Sequence, residues 1–378
     1  MVSSFVGRKL VSRRVLVWSV AAALVSLAVV SWWRARRHLD EMQRDLGVRS
    51  YALLGPQSAE RTVNDPRPGS VSERLAAVYP ILAAELLAWD SREEPAVYLQ
   101  CAQARDGLWP LAALPGPCRS MVAELDDVLD QLVDVSRAES LGAAAHWRDL
   151  QWWPLARAVN AVALRARIAL EEHGDASAAL SDCLGVVELW RDISYVAALQ
   201  TATSSSTLVT RIAPICADAL RRADATARVA AGARLTAALN QIAPVARAVD
   251  REALLGELSV FAPRFVGGAP DSMHPAARRR AAESTLLGES DREPWWLAPF
   301  VLAGPWTSYL GVMGEIAALA DTPLDTALPK IDALVHDPAL PHLVRTAAGA
   351  RWEKHLRMQH RARAAVGRLA QIASRPSF

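Results

Sequence analysis

The chain opens with a long run of apolar positions and then settles into a helical rhythm. Residues 15–33 read VLVWSVAAALVSLAVVSWW, with no charge and no polar face. At about 1.5 Å rise per residue such a helix spans roughly 28 Å, close to the ~30 Å hydrocarbon core of a bilayer. Beyond it, apolar residues recur at three- and four-residue intervals, as in Met121, Leu125, Val128, Leu129 and Leu132, or Leu180, Leu184, Val187 and Trp190. That is the period of amphipathic helices, and β-branched residues seldom alternate with polar ones. The expected fold is all-α: a single N-terminal transmembrane helix, then a multi-helix bundle or a helical-hairpin (tetratricopeptide-like) domain.

The ends of the apolar run have the residues of a membrane interface. Trp18 lies near one end and Trp32 and Trp33 at the other, while Arg13 and Arg14 precede the run and Arg34, Arg36 and Arg37 follow it. Indole favours the headgroup region, and each charge costs a few kcal/mol at the bilayer centre, so these residues bound the span. A buried soluble helix is disfavoured because no face is polar. A cleaved signal peptide, with Ser26 and Ala28 as the small residues, conflicts with an apolar run that continues to Trp33. A lipoprotein signal is excluded because no cysteine follows the run. Basic residues are balanced across the span. The short basic tail before it favours the N-terminus in the cytoplasm and the large C-terminal part outside.

These signals divide the chain into a basic cytoplasmic tail (1–14), a transmembrane anchor (15–33), a juxtamembrane helix and linker (34–70) and an α-helical soluble domain (71–378). The linker reading rests on LGPQSAERTVNDPRPGS, rich in Pro, Gly and polar residues. Ser70 and Glu73 have capping-box spacing at the next helix start. Gly174 and Asp175 read as a helix stop followed by a helix cap. Thr322-Pro323 and Asp337-Pro338 read as caps followed by Pro at the first helical position. Residues 295–314 form a second apolar stretch, but Pro299 and Pro305 interrupt it and Glu315 follows. A buried or membrane-facing segment of a soluble domain is therefore expected there, with Trp295, Trp296 and Trp306 in the core or at an interface.

Composition adds mainly exclusions. The 378 residues carry a formal net charge of +2 and 52% hydrophobic residues, so the chain has ample core-forming material and no global field for nucleic acid. Of the 42 basic residues only Lys9, Lys330 and Lys354 are lysines, a bias that fits a GC-rich genome. Four cysteines permit two disulfides outside the cytosol. Cys101 and Cys118 bracket a Pro/Gly-containing loop and form the candidate bridge, whereas Cys183 and Cys216 read equally well as small buried apolar residues. Asp126, Asp127 and Asp130 fit a solvated helix face better than a cation site. His355 and His360 are five apart and fall on different faces of a helix. No metal, phosphate-loop or hydrolase motif is present, so no catalytic, metal or cofactor residues are expected.

The stretch His173-Gly-Asp-Ala-Ser-Ala-Ala179 resembles the turn of a tetratricopeptide repeat, without a second copy at the usual period. Around it, LRARIALEEHGDASAALSDCLGVVELWRD, and more weakly PWTSYLGVMGEIAALADTPLDTALPKIDAL, resemble a group of bacterial proteins without assigned activity. They carry an N-terminal transmembrane anchor and an all-helical extracytoplasmic domain. The resemblance implies a single-pass protein of the bacterial inner membrane with its large domain in the periplasm, and no site residues. By elimination, the expected function is a cell-envelope scaffold or protein-interaction module. It has two partners, the lipid bilayer through 15–33 and a protein of the envelope. The alternatives are an all-helical envelope hydrolase and a ligand-sensing membrane protein.

Overall fold

A computed structural model describes residues 4–57, 66–93, 95–107, 110–143, 152–262, 273–285, 296–349 and 352–375, and side chains from residue 17 onward. The described chain is almost entirely helical, so the all-α expectation holds. In order it comprises α1 (Ser4–Leu54), β1 (Pro56–Gln57), β2 (Arg67–Ser70), α2 (Val71–Arg92), α3 (Pro95–Arg105), α4 (Gly116–Glu124), α5 (Asp126–Asp134), β3 (Ala138–Ser140) and β4 (Gly142–Ala143). Then come α6 (Trp152–Glu171), α7 (Ala176–Val196), α8 (Leu199–Arg222), α9 (Ala225–Gln241), α10 (Val245–Gly256), α11 (Pro275–Thr285), α12 (Ala298–Ala320), α13 (Leu324–Val335), α14 (His342–Ala348) and α15 (Trp352–Ser374).

The chain folds as two compact units. The first comprises Met1–Tyr51, Gly256–Gly311 and Pro338–Ala348. Its core forms where the last turns of α1 meet a π-helical turn, Glu257–Phe261, which continues α10. On α1 the buried positions are Leu39, Met42, Leu46 and Ser50, one helical stripe. On α12 they are Ala298, Leu302, Trp306 and Tyr309. Phe261 stacks on Trp306 with centroids 5.7 Å apart and tilts against Tyr309 at 5.4 Å. The second apolar stretch is thus a single helix with one buried face. Pro299 falls in its first turn, where no amide partner is needed, and the helix continues through Pro305.

The second unit comprises Ala52–Leu255, Val312–Asp337 and Gly349–Phe378. Its centre is α7, buried on most of its circumference and packed against α6, α8 and α9. The last helix, α15, lies along α8 and α9, and α2 packs on α6. Local sequence explains the helix starts. Ser70 Oγ accepts the Glu73 amide at 3.2 Å while Glu73 accepts the Ser70 amide at 2.9 Å, the reciprocal capping box. Asp175 accepts the Ala178 amide at 2.9 Å, after Gly174 turns the chain at φ +66°. Gly185 permits α7 to touch Val133, since a Cβ there would sit 2.5 Å from the Val133 side chain.

Several details depart from the sequence reading. The stretch read as a linker contains β1 and β2; β1 pairs antiparallel with β4 and β2 pairs parallel with β3, while residues 58–65 lie outside the described ones. The helical stripe from Met121 to Leu132 is broken at Leu125, whose ψ of −3° separates α4 from α5. Thr322 does not cap α13. Its hydroxyl turns back to the Leu319 carbonyl at 2.7 Å, and Pro323 takes the cap position. Asp337-Pro338 is followed by a turn, and α14 starts only at His342, so this pair does not begin a helix.

Candidate membrane anchor and buried polar sites

Residues 17–31 of α1 behave unlike any other described helix. From Val17 to Ser31 every residue is exposed except Ala21, which is half-buried, although almost all are apolar. Trp18 is 75% exposed, and Trp33 is exposed as well. A soluble helix buries its apolar stripe; one that is apolar all round and covered by nothing is matched to lipid. Among the described residues this is the one helix long and apolar enough to cross a membrane, a length and composition that also suit a signal sequence.

The basic border after the apolar run is self-organised. Arg36 pairs with Asp40 at 3.1 Å and Arg37 with Glu41 at 3.2 Å, each one turn on. The Arg37 guanidinium also lies 5.8 Å from the Trp33 ring centroid. Arg34 is exposed, and Trp32 is half-buried. The side chains of Arg13 and Arg14, and all of Trp295, lie outside the described residues.

Past this border α1 is bolted into the first unit. Arg49 donates two hydrogen bonds to Glu257, at 2.7 and 2.6 Å, and Trp306 Nε1 donates a third at 2.7 Å. The Glu257 side chain is fully buried. Burial pushes its carboxyl above the usual range, against the pull of Arg49 and Trp306. His38 and Met42 both contact Thr307, and Ser50 Oγ accepts the His274 amide at 2.9 Å. A charge held this way is strongly position-specific, because displacing Arg49 leaves the Glu257 carboxylate buried without its cation.

In the second unit the cysteines are joined in two pairs. Cys101 of α3 is bridged to Cys118 of α4, with Cα atoms 5.5 Å apart. Cys183 of α7 is bridged to Cys216 of α8 at 5.6 Å, where sequence alone left buried thiols equally acceptable. The acidic residues of α5 turn out to serve an arginine. Arg165 reaches Asp126 at 2.7 Å, Asp130 at 2.8 Å and the buried Asp182 at 2.5 Å. Burial works to depress the Arg165 guanidinium, but these carboxylates outweigh it and hold it above its ordinary value.

A hydroxyl and an imidazole also meet in this unit, from positions 152 residues apart. Thr203 Oγ1 lies 2.7 Å from His355 Nδ1 and 2.8 Å from the Leu199 carbonyl. The threonine has one proton. With that proton on the carbonyl, Nδ1 must be the donor, which is the wrong tautomer for a base acting on Thr203. The contact ties α15 to α8. Ser205 and Ser206 likewise spend their protons on the Ala202 carbonyl, and Ser206 accepts Trp190 Nε1 at 3.2 Å. A cavity bordered by Trp190, Ser206, Gln359 and Arg363 has room for about one water molecule. His360 contacts the Ala320 carbonyl at 3.1 Å, so the two C-terminal histidines do point to different partners.

One buried cation stands apart. Arg251 on α10 is 4% exposed, and its Nε and Nη2 make no hydrogen bond. Burial, with the like charge of Arg247 added, pushes it down to about 9. No sequence signal distinguishes it from the surface arginines, since it follows Asp250 and precedes Glu252.

No family model, curated protein or solved structure matches this chain. Among the described residues no group of three or more His, Cys, Asp or Glu is arranged to hold a metal ion.

Proposed function

We propose that this chain is a single-pass protein of the bacterial inner membrane whose helical units lie in the periplasm and act as a scaffold for a protein partner. The observation that carries the reading is the contrast within α1. Its apolar half is exposed all round, while its polar half packs as part of a folded unit. A helix of this kind holds the folded unit at a fixed distance from the bilayer. The two disulfides support an oxidising compartment. The hairpin of α6 and α7 supports tetratricopeptide-like stacking: Gly174 turns, Asp175 caps and the small Ala179 is fully buried four positions on. Hydroxyls committed to backbone carbonyls favour a scaffold over a hydrolase.

The test is threefold. The intact protein should stay with membranes after alkaline extraction. Impermeant thiol reagents should find no free cysteine in intact cells until a reductant is added. One protein should be recovered repeatedly with it after gentle solubilisation. Release into the soluble fraction, or repeated recovery of the bare chain, would contradict the reading.

A further inference from the structure

Among the described residues three arginines are buried: Arg105, Arg191 and Arg251. Two of them hold a carboxylate. Arg105 donates Nε and Nη2 to the two oxygens of Asp106, at 2.7 Å each, and Arg191 donates Nε to Asp192 at 2.8 Å. In both cases the acid is the next residue in the sequence. Arg251 is also followed by an acid, Glu252, but that carboxylate accepts the Leu199 amide at 3.3 Å instead. Arg251 Nε and Nη2 are therefore sealed from solvent and unbonded. Nη1 is the nitrogen not sealed off, so the guanidinium reaches water there. The neighbouring charge that acts on the group, Arg247 one turn earlier, has the same sign. Arg247 itself donates Nε to the Tyr195 carbonyl at 3.0 Å and lies 5.7 Å from the Tyr195 ring centroid.

We infer that Arg251 is a binding site for a carboxylate brought from outside the chain, received end-on by Nη1 and Nη2, with Arg247 adding a second positive charge. Charge selects an anion, since two neighbouring cations attract one and repel a cation. Geometry selects the carboxylate. Paired N–H groups on one edge of a guanidinium match two coplanar oxygens, which a halide does not have. The chain itself uses both edges this way. Nε and Nη2 clamp Asp182 on Arg165 and Glu188 on Arg234. Nη1 and Nη2 clamp Glu257 on Arg49 and Glu172 on Arg119. Arg251 has both edges unbonded. Burial supplies the driving force, because the surroundings that make an unpaired charge costly also strengthen a paired one. A small free carboxylate and a glutamate side chain of a protein partner present the same chemistry. The site depends on neither the membrane nor the scaffold reading.

The test uses the full chain in detergent, with both disulfides intact, in carboxylate-free chloride buffer at neutral pH. Sodium acetate replaces chloride at constant ionic strength, and the arginine Nε–H signals are followed by NMR. The Arg251 signal, identified by its loss in Arg251→Lys, should shift downfield and saturate, while those of Arg105 and Arg191 stay in place. The thermal midpoint should rise over the same range. Arg251→Met should start from a higher midpoint, since an apolar side chain replaces the unpaired cation, and should lose the acetate response. A second titration with glutamate blocked at both backbone ends separates the sources. Binding at least as tight as acetate assigns the site to a protein-borne side chain, and binding of acetate alone assigns it to a small free carboxylate. No saturable shift of the Arg251 signal, an acetate response kept in Arg251→Met, or inorganic phosphate saturating at lower concentration than acetate would overturn the inference.

Discussion

The two halves of α1 are the same helix solving two solvation problems. From Val17 to Ser31 the residues are apolar on every face and almost nothing in the protein touches them. From Leu39 to Ser50 the buried positions recur every three or four residues, and the faces between carry Asp40, Arg44 and Asp45. The first pattern suits a surrounding that is apolar on all sides; the second suits protein on one side and water on the other. No break separates them, so the direction of the apolar half is set by that of the packed half. The unit built on Arg49 and Glu257 is therefore joined to the apolar half by continuous helix rather than by a flexible tether.

That contrast is broken most severely at its electrostatic bolt. Arg49→Ala should destabilise the first unit by about 3–5 kcal/mol, because it leaves the fully buried Glu257 carboxylate without its cation. Hydrogen exchange of the α11 and α12 amides would register it, with no change in membrane retention. Next, Leu46→Ala should cost about 2–5 kcal/mol by the same readout, because Leu46 is 0% exposed. Leu24→Ala, exposed on the other half, should leave that protection unchanged. Leu24→Arg acts the other way. A charge at mid-span costs about 3 kcal/mol of insertion, so the membrane-bound fraction should fall while the α12 amides stay protected.

Two smaller effects concern the buried charges. Arg251→Met should stabilise the second unit by about 1–4 kcal/mol in chemical denaturation, since an apolar residue replaces an unpaired buried guanidinium. Destabilisation there would mean that Arg251 has a partner outside the chain. The pH effect is smaller still. Burial raises the folded-state pKa of Glu257 above the ordinary 4.5. Its contribution is fully present below the unfolded value and is lost as pH rises through the folded one. Glu257→Gln should therefore flatten the part of the stability–pH curve that falls as pH rises above 4.5.

How much of this was legible in the sequence follows from the range of each interaction. The apolar run, the capping box of Ser70 and Glu73 and the stop at Gly174 are local, and each is read from a few neighbouring residues. The bolt is not: Arg49 and Glu257 are 208 residues apart, and Thr203 and His355 are 152. A trace of the first existed. Glu257 interrupts the apolar stripe Leu254, Leu258, Phe261, and a carboxylate in such a stripe demands a cationic partner, although not which one. Arg165 was hidden differently. The acids of α5 were visible as a cluster, but an amphipathic helix keeps its acids on the solvent side, and only the fold shows an arginine from α6 among them. The Thr322 cap failed because the hydroxyl had a nearer partner, the Leu319 carbonyl at the end of the preceding helix.

A single-cysteine scan along α1, from Val17 to Ser50, tests the central claim most directly. Each variant is labelled with a water-soluble maleimide in intact membranes and again after transfer to a small zwitterionic detergent with the fold retained. The account predicts uniform protection from 17 to 31 in membranes, on every face of the helix. From 39 to 50 it predicts protection with a three- to four-residue period, greatest at 39, 42, 46 and 50, in membranes and detergent alike. A period of three to four residues across 17–31 in membranes would instead mark that half as a packed soluble helix, and free labelling throughout it would remove the bilayer from the account.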